Sequence, residues 1–294
     1  MRIPAVGAAT LAAVLDAGSM EAAARLLHIT PSAVSQRVRA LEEEVGKVLL
    51  VRAKPLRPTA AAHPIVRFAR QVALLEHDAA AEVGATADRM TVALAVNADS
   101  LATWFLTPLA RLSRRHPVVF DLHRDDQDFT AGMLEDGTVT GAVTSRAEPV
   151  GGCRVQALGV LRYEAVATPR FRDEWFGGGD RRAALAAAPV IDFDRRDDLQ
   201  TRWLLAEGAD PAAPPRHRVP ASHDFATATE LGLGWSLLPL LQCAGALASG
   251  ALVPLGGEPI DVPLYWQQWN LRSTLLDAVA DEIVGEGRRV LLPG

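Results

Sequence analysis

Apolar residues recur at threes and fours along the first part of the chain. Val6, Leu11, Val14 and Leu15 can share one face, which predicts a first helix over about 7–17. Ser19 caps a second segment, MEAAARLL, whose alanines at 22–24 are small enough for a close helix crossing. A tight turn near His28 leads into ITPSAVSQRVRALEEEVG. There Thr30 is an N-cap, Pro31 fills the first helical position and Gly46 stops the helix. Val34, Val38, Leu41 and Val45 form its core stripe. Beyond Gly46, VLLVR reads as a strand and AKPLRPT as an extended connection broken by proline. Two helices, a turn, a third helix and a strand predict a winged helix-turn-helix over residues 1–59.

A long apolar stripe follows, with Ile65, Phe68, Val72, Leu75, Ala79 and Val83 at coiled-coil-like spacing. It predicts a linker helix over residues 60–88 that pairs with its own copy; packing on the body of the same chain is the competing reading. From about residue 89 the period changes to strands separated by helical stretches. TVALAV, VVFDLHR and GAVTS read as strands, and DSLATWFLTPLARLSRR as a helix between the first two. LRYEAVATP opens a second lobe that contains VIDF, a helix near LQTRWLLA, and GLGWSLLP. VPLYWQQWN returns, and a last helix covers about 273–285. The fold class is α/β with parallel sheets. A two-lobed, periplasmic-binding-protein-like domain over 89–294 is expected, with lobe I at about 89–162 and 268–294 and lobe II at about 163–267. Crossing strands between the lobes would leave a ligand cleft.

Charge sharpens this division. The chain of 294 residues carries a net charge of −5, yet its parts differ in sign. Residues 1–62 hold eight Lys and Arg against five Asp and Glu, whereas residues 90–294 hold 19 against 26. A basic head on an acidic body suits a nucleic-acid reader joined to something else. MRIPAVGAATLAAVLDAGS imitates a secretory leader, but Asp16 interrupts the apolar run before any cleavage site. No run reaches the ~20 apolar residues of a membrane span. The two cysteines, Cys153 and Cys243, lie far apart without ligand spacing, so a reduced cytoplasmic protein with no metal site, no cofactor and no membrane partner is expected.

One face of the third helix does not read as packing. Ser32, Ser35, Gln36 and Arg39 fall together at helical spacing, while Glu42, Glu43 and Glu44 crowd the far end. Such a helix enters the major groove by its N-terminus. Gln reads adenine, Arg reads guanine, and serines reach phosphates or base edges. Arg37 on the same helix, and Arg52, Lys54 and Arg57 on the strand and loop beyond, complete the expected DNA-binding set.

AAARLLHITPSAVSQRVRALEEEVG resembles the DNA-binding motif of the LysR-type transcriptional regulators. Within that family VRAKPLRPT, AVNADSLATWFL, GAVTS and PLYWQ resemble the branch that senses basic amino acids, the LysG/ArgP group. The resemblance implies a regulator of a gene such as a lysine or arginine exporter, with L-lysine or L-arginine as effector. Its implied partners are double-stranded DNA, further copies of the chain as a dimer or dimer of dimers, and RNA polymerase.

For an amino-acid effector, NADSLATWFL sets Asn97 at a strand end and Asp99 and Ser100 at a helix start that favours a carboxylate. Simple N-capping by Asp99 or Ser100 explains the same residues. A cationic side chain needs acids: RDDQD supplies Asp125, Asp126 and Asp128, and DFDRRDD supplies Asp192, Asp194, Asp197 and Asp198. Asp126 and Asp194 are favoured by strand-end placement and by the resemblance, and Thr144 and Ser145 add hydroxyl donors. His223 departs from the branch, which carries a glutamate there; Asp224 stands beside it. A regulator of another effector, or a constitutive DNA-binding protein whose body serves assembly, remains open. An enzyme is not expected, because GLGWS and GGGD lack the framing of a nucleophile elbow or phosphate loop.

Overall fold

A computed structural model describes residues 3–51, 53, 56–84, 89–124 and 130–294. The head begins with α1 (Ala5–Ala17), α2 (Met20–Leu26) and α3 (Pro31–Val45). Ser19 Oγ accepts from Ala22 N at 3.1 Å and Thr30 Oγ1 from Ala33 N at 3.2 Å, so both sequence-predicted caps are in place. His28 makes the turn between α2 and α3 at φ 53°. Val34, Val38 and Leu41 are buried with Leu11 and Val14 of α1 in the head's core. Two short strands, β1 (Leu50–Val51) and β2 (Arg57–Pro58), pair antiparallel as the wing. Glu42 fixes that wing to α3, since its Oε1 accepts from Leu49 N at 2.7 Å.

The linker is α4 (His63–Glu82). Its expected stripe divides among three environments. Ile65, with Val66 and Ala69, is buried in the head's core rather than held for another copy. Leu74 is buried in the core of the body. Phe68 and Val72 are partly buried, and Leu75, Ala79 and Val83 are exposed.

The body starts with β3 (Met90–Val96), α5 (Ala98–Thr103), α6 (Leu106–Arg115), β4 (Val118–Arg124), α7 (Thr130–Glu135) and β5 (Gly141–Thr144). The single helix expected over DSLATWFLTPLARLSRR is therefore two. Pro108 has no N–H for the carbonyl of Trp104 and its ring would clash there, so the helix breaks at Trp104 and Phe105. Both aromatic rings are buried at the break.

A 15-residue strand, β6 (Cys153–Ala167), leads to the second lobe. That lobe holds α8 (Pro169–Phe176), α9 (Arg181–Ala187), β7 (Val190–Asp192), α10 (Leu199–Ala206), β8 (Arg216–Arg218), α11 (Ser222–Glu230), β9 (Ser236–Pro239), α12 (Leu240–Ser249) and β10 (Val253–Pro254). The chain returns along β11 (Ile260–Trp269) and ends on α13 (Thr274–Val290), longer than the predicted 273–285.

The sheets are not simply parallel. β4, β3 and β5 are parallel, and so are β7 and β8, but β6 and β11 run antiparallel to each other for ten residue pairs. β11 also pairs antiparallel with β5. The difference has a topological cause, because a strand that carries the chain back to the first lobe must oppose the one that carried it out.

Candidate functional site

On the head, Ser32, Gln36, Arg37 and Arg39 are exposed along α3 and Ser35 is half-buried. Ser32 Oγ lies 3.1 Å from Thr30 Oγ1, at the end of the helix that carries its free N–H groups. Arg57 is exposed on the wing, on the same side of Gly46 as β1. Arg52 and Lys54 lie outside the described residues. Glu43 and Glu44 are exposed at the opposite end of α3, while Glu42 is spent on the wing.

On the body, a cleft of about 510 Å³ opens where β3 and α5 of the first lobe face the loop after β7. Asn97, Asp99, Ser145, Tyr163, Phe193, Asp197 and Asp261 are among its lining residues. Asn97 caps α5, its Oδ1 accepting from Ser100 N at 3.1 Å. The cap is thus neither Asp99 nor Ser100. Asp99 is freed to face the cleft, where Tyr163 Oη donates to its Oδ2 at 2.7 Å and Ser222 Oγ to its Oδ1 at 2.7 Å. Burial raises the Asp99 carboxyl above its ordinary value, with the two hydroxyls pulling it back. Burial, reinforced by the charge on Asp99, pushes the Tyr163 phenol well above its ordinary range, so it remains a donor.

Several expected ligand residues occupy other positions. Asp194 does not line the cleft; its Oδ1 accepts from the amides of Arg196 at 2.7 Å and Asp197 at 3.1 Å. That short carboxylate closes a turn, and the turn presents Asp197 instead. Asp197 accepts from Phe193 N at 3.0 Å and Leu199 N at 3.1 Å, and burial lifts its carboxyl with help from the charges on Asp192 and Asp99. Ser100 is fully buried behind Asn97 and does not line the cleft. Thr144 is buried too, its hydroxyl oxygen accepting from Arg146 N, so only Ser145 of that pair reaches the cleft. His223 and Asp224 are exposed on α11, because the helix turns their neighbour Ser222 inward. Asp126 falls outside the described residues.

Tyr163, Ser222 and Arg124 escaped the sequence reading. Arg124 ends β4, donates to Pro220 O at 3.2 Å and stacks over the Phe193 ring at 5.9 Å, tying the two lobes together. Tyr163 had a legible signal, a hydroxyl-bearing ring at a buried position of LRYEAVATP. Ser222 and Arg124 had none, since their value depends on a partner far away in sequence. Among the described residues no group of His, Cys, Asp and Glu is arranged to hold a metal ion. None of their helices is long and apolar enough to cross a membrane.

Comparison with known proteins agrees with both halves. Residues 8–63 match the model of the bacterial regulatory helix-turn-helix protein, lysR family, and residues 85–287 match the LysR substrate binding domain. The lysine export transcriptional regulatory protein LysG of Corynebacterium efficiens is 42% identical over 282 residues, 95% of this chain and 96% of that protein. The crystal structure of ArgP from Mycobacterium tuberculosis superposes with a TM-score of 0.85 at 43% identity, covering 98% of each chain. Full-length LysG from Corynebacterium glutamicum, solved with bound effector Arg, superposes with a TM-score of 0.80 at 38% identity. It covers 99% of this chain and 100% of that one. With a capped recognition helix and wing at one end and a two-lobed cleft at the other, this chain belongs to the LysR family of transcriptional regulators.

Proposed function

We propose that the cleft takes a basic amino acid, L-lysine or L-arginine, and that its occupancy controls transcription of a gene such as an amino-acid exporter. One observation carries the reading. Asp99 and Asp197 face one cleft from opposite lobes, the charge on Asp99 adds to the cost of ionising Asp197, and neither has a basic partner among the described residues. Two half-buried carboxylates, neither paired with a basic side chain, are satisfied by a ligand that brings a cation. Asn97 Nδ2 is buried without a partner among the described residues, and it and the Ser145 hydroxyl suit the α-carboxylate. Support also comes from a relative named for lysine export and from a structural neighbour holding arginine.

At the other end, Gln36 and Arg39 read bases, Ser32, Ser35 and Arg37 reach phosphate or base edges, and Arg52, Lys54 and Arg57 hold phosphate. The stripe of Phe68 and Val72, partly buried, and of Leu75 and Ala79, exposed, keeps heptad spacing and pairs with a second copy, setting two heads on one DNA duplex. Calorimetry of the full chain with lysine, arginine and norleucine tests the effector. Saturable heat from lysine or arginine with little from norleucine is expected, and equal responses to all three would refute a cation-reading cleft.

A further inference from the structure

The structure assigns to Arg70 a role beyond the two sites: we propose that it positions the DNA-reading head relative to the cleft and carries coupling between them. Arg70 stands on α4, its side chain only 22% exposed. Its Nη1 donates to Gly137 O and, at 2.7 Å, to Thr138 O, both in the body just before β5. Its Nη2 donates to Asp16, on α1 of the head. One planar fork therefore holds linker, head and body at once, a geometry that a guanidinium supplies and an ammonium does not.

The surroundings make this contact consequential. Head and body do not pack face to face there, for a gap of about 710 Å³ lies between them, walled by Ala12, Leu15, Met90 and Thr91. On the body side the loop meets α4 closely: at Gly137, with φ +81°, an added Cβ would fall 2.9 Å from the Arg67 backbone. Arg67 itself grips Gly151 O and Gly152 O at 3.1 and 3.2 Å and stacks on Trp269, so it ties linker to body without reaching the head.

From Thr138 the chain enters β5 directly. Thr140 N donates to Ala93 O at 2.9 Å, Trp269 N donates to Thr140 O at 3.1 Å, and β5 is clasped between β3 and β11. This strand, ~13 Å long, ends beside Ser145 on the cleft wall. A ligand that shifts Ser145 moves a stiff rod whose other end is the carbonyl pair held by Arg70. Head orientation follows through Asp16.

Coupling is reciprocal, so DNA on the head must be felt in β5, whatever molecule fills the cleft. The test is amide hydrogen exchange of Gly137–Thr144 in the full chain, with and without a duplex selected by the wild-type protein from genomic fragments. Wild type is expected to show a change of about fivefold or more on duplex binding, at the low end of typical coupling. Arg70→Ala should bind the duplex and lose that change. Arg70→Lys, which keeps the charge towards Asp16 but not the fork, should lose it as well. Should Arg70→Ala fail to bind DNA, Asp16→Asn cuts the head contact alone and is read the same way. An unresponsive segment in wild type, or an equal response in the variants, would overturn the proposal. Lysine titration plays no part in this readout, so failure of the effector reading stays separate from failure of the coupling.

Discussion

Ser222 donates its hydroxyl proton to Asp99 across the interlobe cleft at 2.7 Å, while Tyr163 holds the other carboxylate oxygen at the same distance. Both donors favour the ionised acid, but burial outweighs them and lifts Asp99 above its ordinary value of 3.8. A proton on Asp99 competes with the cation of a basic effector. Lysine affinity should therefore fall with decreasing pH at a higher pH than an ordinary carboxylate would give. Tyr163→Phe removes one stabilising donor and should move that midpoint further up, as read by calorimetry between about pH 4 and 7. An unmoved midpoint in Tyr163→Phe would separate Asp99 from cation recognition.

Removing base readers and removing phosphate clamps should have different signatures. Gln36→Ala and Arg39→Ala are expected to cost ~1–3 kcal/mol on the selected duplex and little on random DNA. Arg57→Ala should weaken both and reduce the salt slope by about one. Fluorescence anisotropy over a salt series distinguishes the two patterns; similar titrations for all three variants would contradict the division of labour.

The linker stripe predicts the assembly. Leu75 is 43% exposed on this chain alone, and Val72 lies one helical turn before it. A carboxylate at either position has no cation in an apolar seam, so Val72→Glu and Leu75→Glu should sediment as smaller species and bind DNA poorly. Unchanged sedimentation would remove this stripe from the interface.

Acid stability should report the network on α13. Arg289 and Arg111 hold the Glu286 carboxyl below its ordinary 4.5, and Arg111 with Arg115 does the same for Glu282. Both acids bind protons more weakly when folded, so their contribution is complete above the unfolded value and is lost as pH falls through the lower folded one. Glu286→Gln should cost ~1–2 kcal/mol near neutrality and flatten the loss of stability below about pH 4.5. Urea melts at several pH values measure it, and parallel curves for the two proteins would show that the network is not coupled to folding.

Local rules carried much of the fold. Thr30, Pro31 and Gly46 bound α3 because caps and stops act within a few residues. Winged head, linker and alternating body were visible for the same reason. What local rules could not reveal was which of many acids enters the cleft. Asp194 and Asp197 look alike in DFDRRDD, and only the folded turn decides that one builds it and the other faces the cleft. Ser222 had no mark at all until its partner 123 residues away came into reach. The break at Trp104 was legible in Pro108, and the antiparallel return of β11 in the need to come back between lobes.

The burial of Ile65, Val66 and Ala69 in the head's core bears on where this chain can be cut and rejoined. A fragment ending after the wing, at residue 59, would expose the apolar face of α1 that these residues cover and should aggregate when expressed alone. The smallest autonomous reader of DNA therefore carries the first two turns of the linker with it. A chimaera that grafts this head onto another sensor should be spliced beyond Ala69. Splicing beyond Arg70 as well imports a side chain shaped for this body's carbonyls, and a foreign sensor would need a matching loop to receive it.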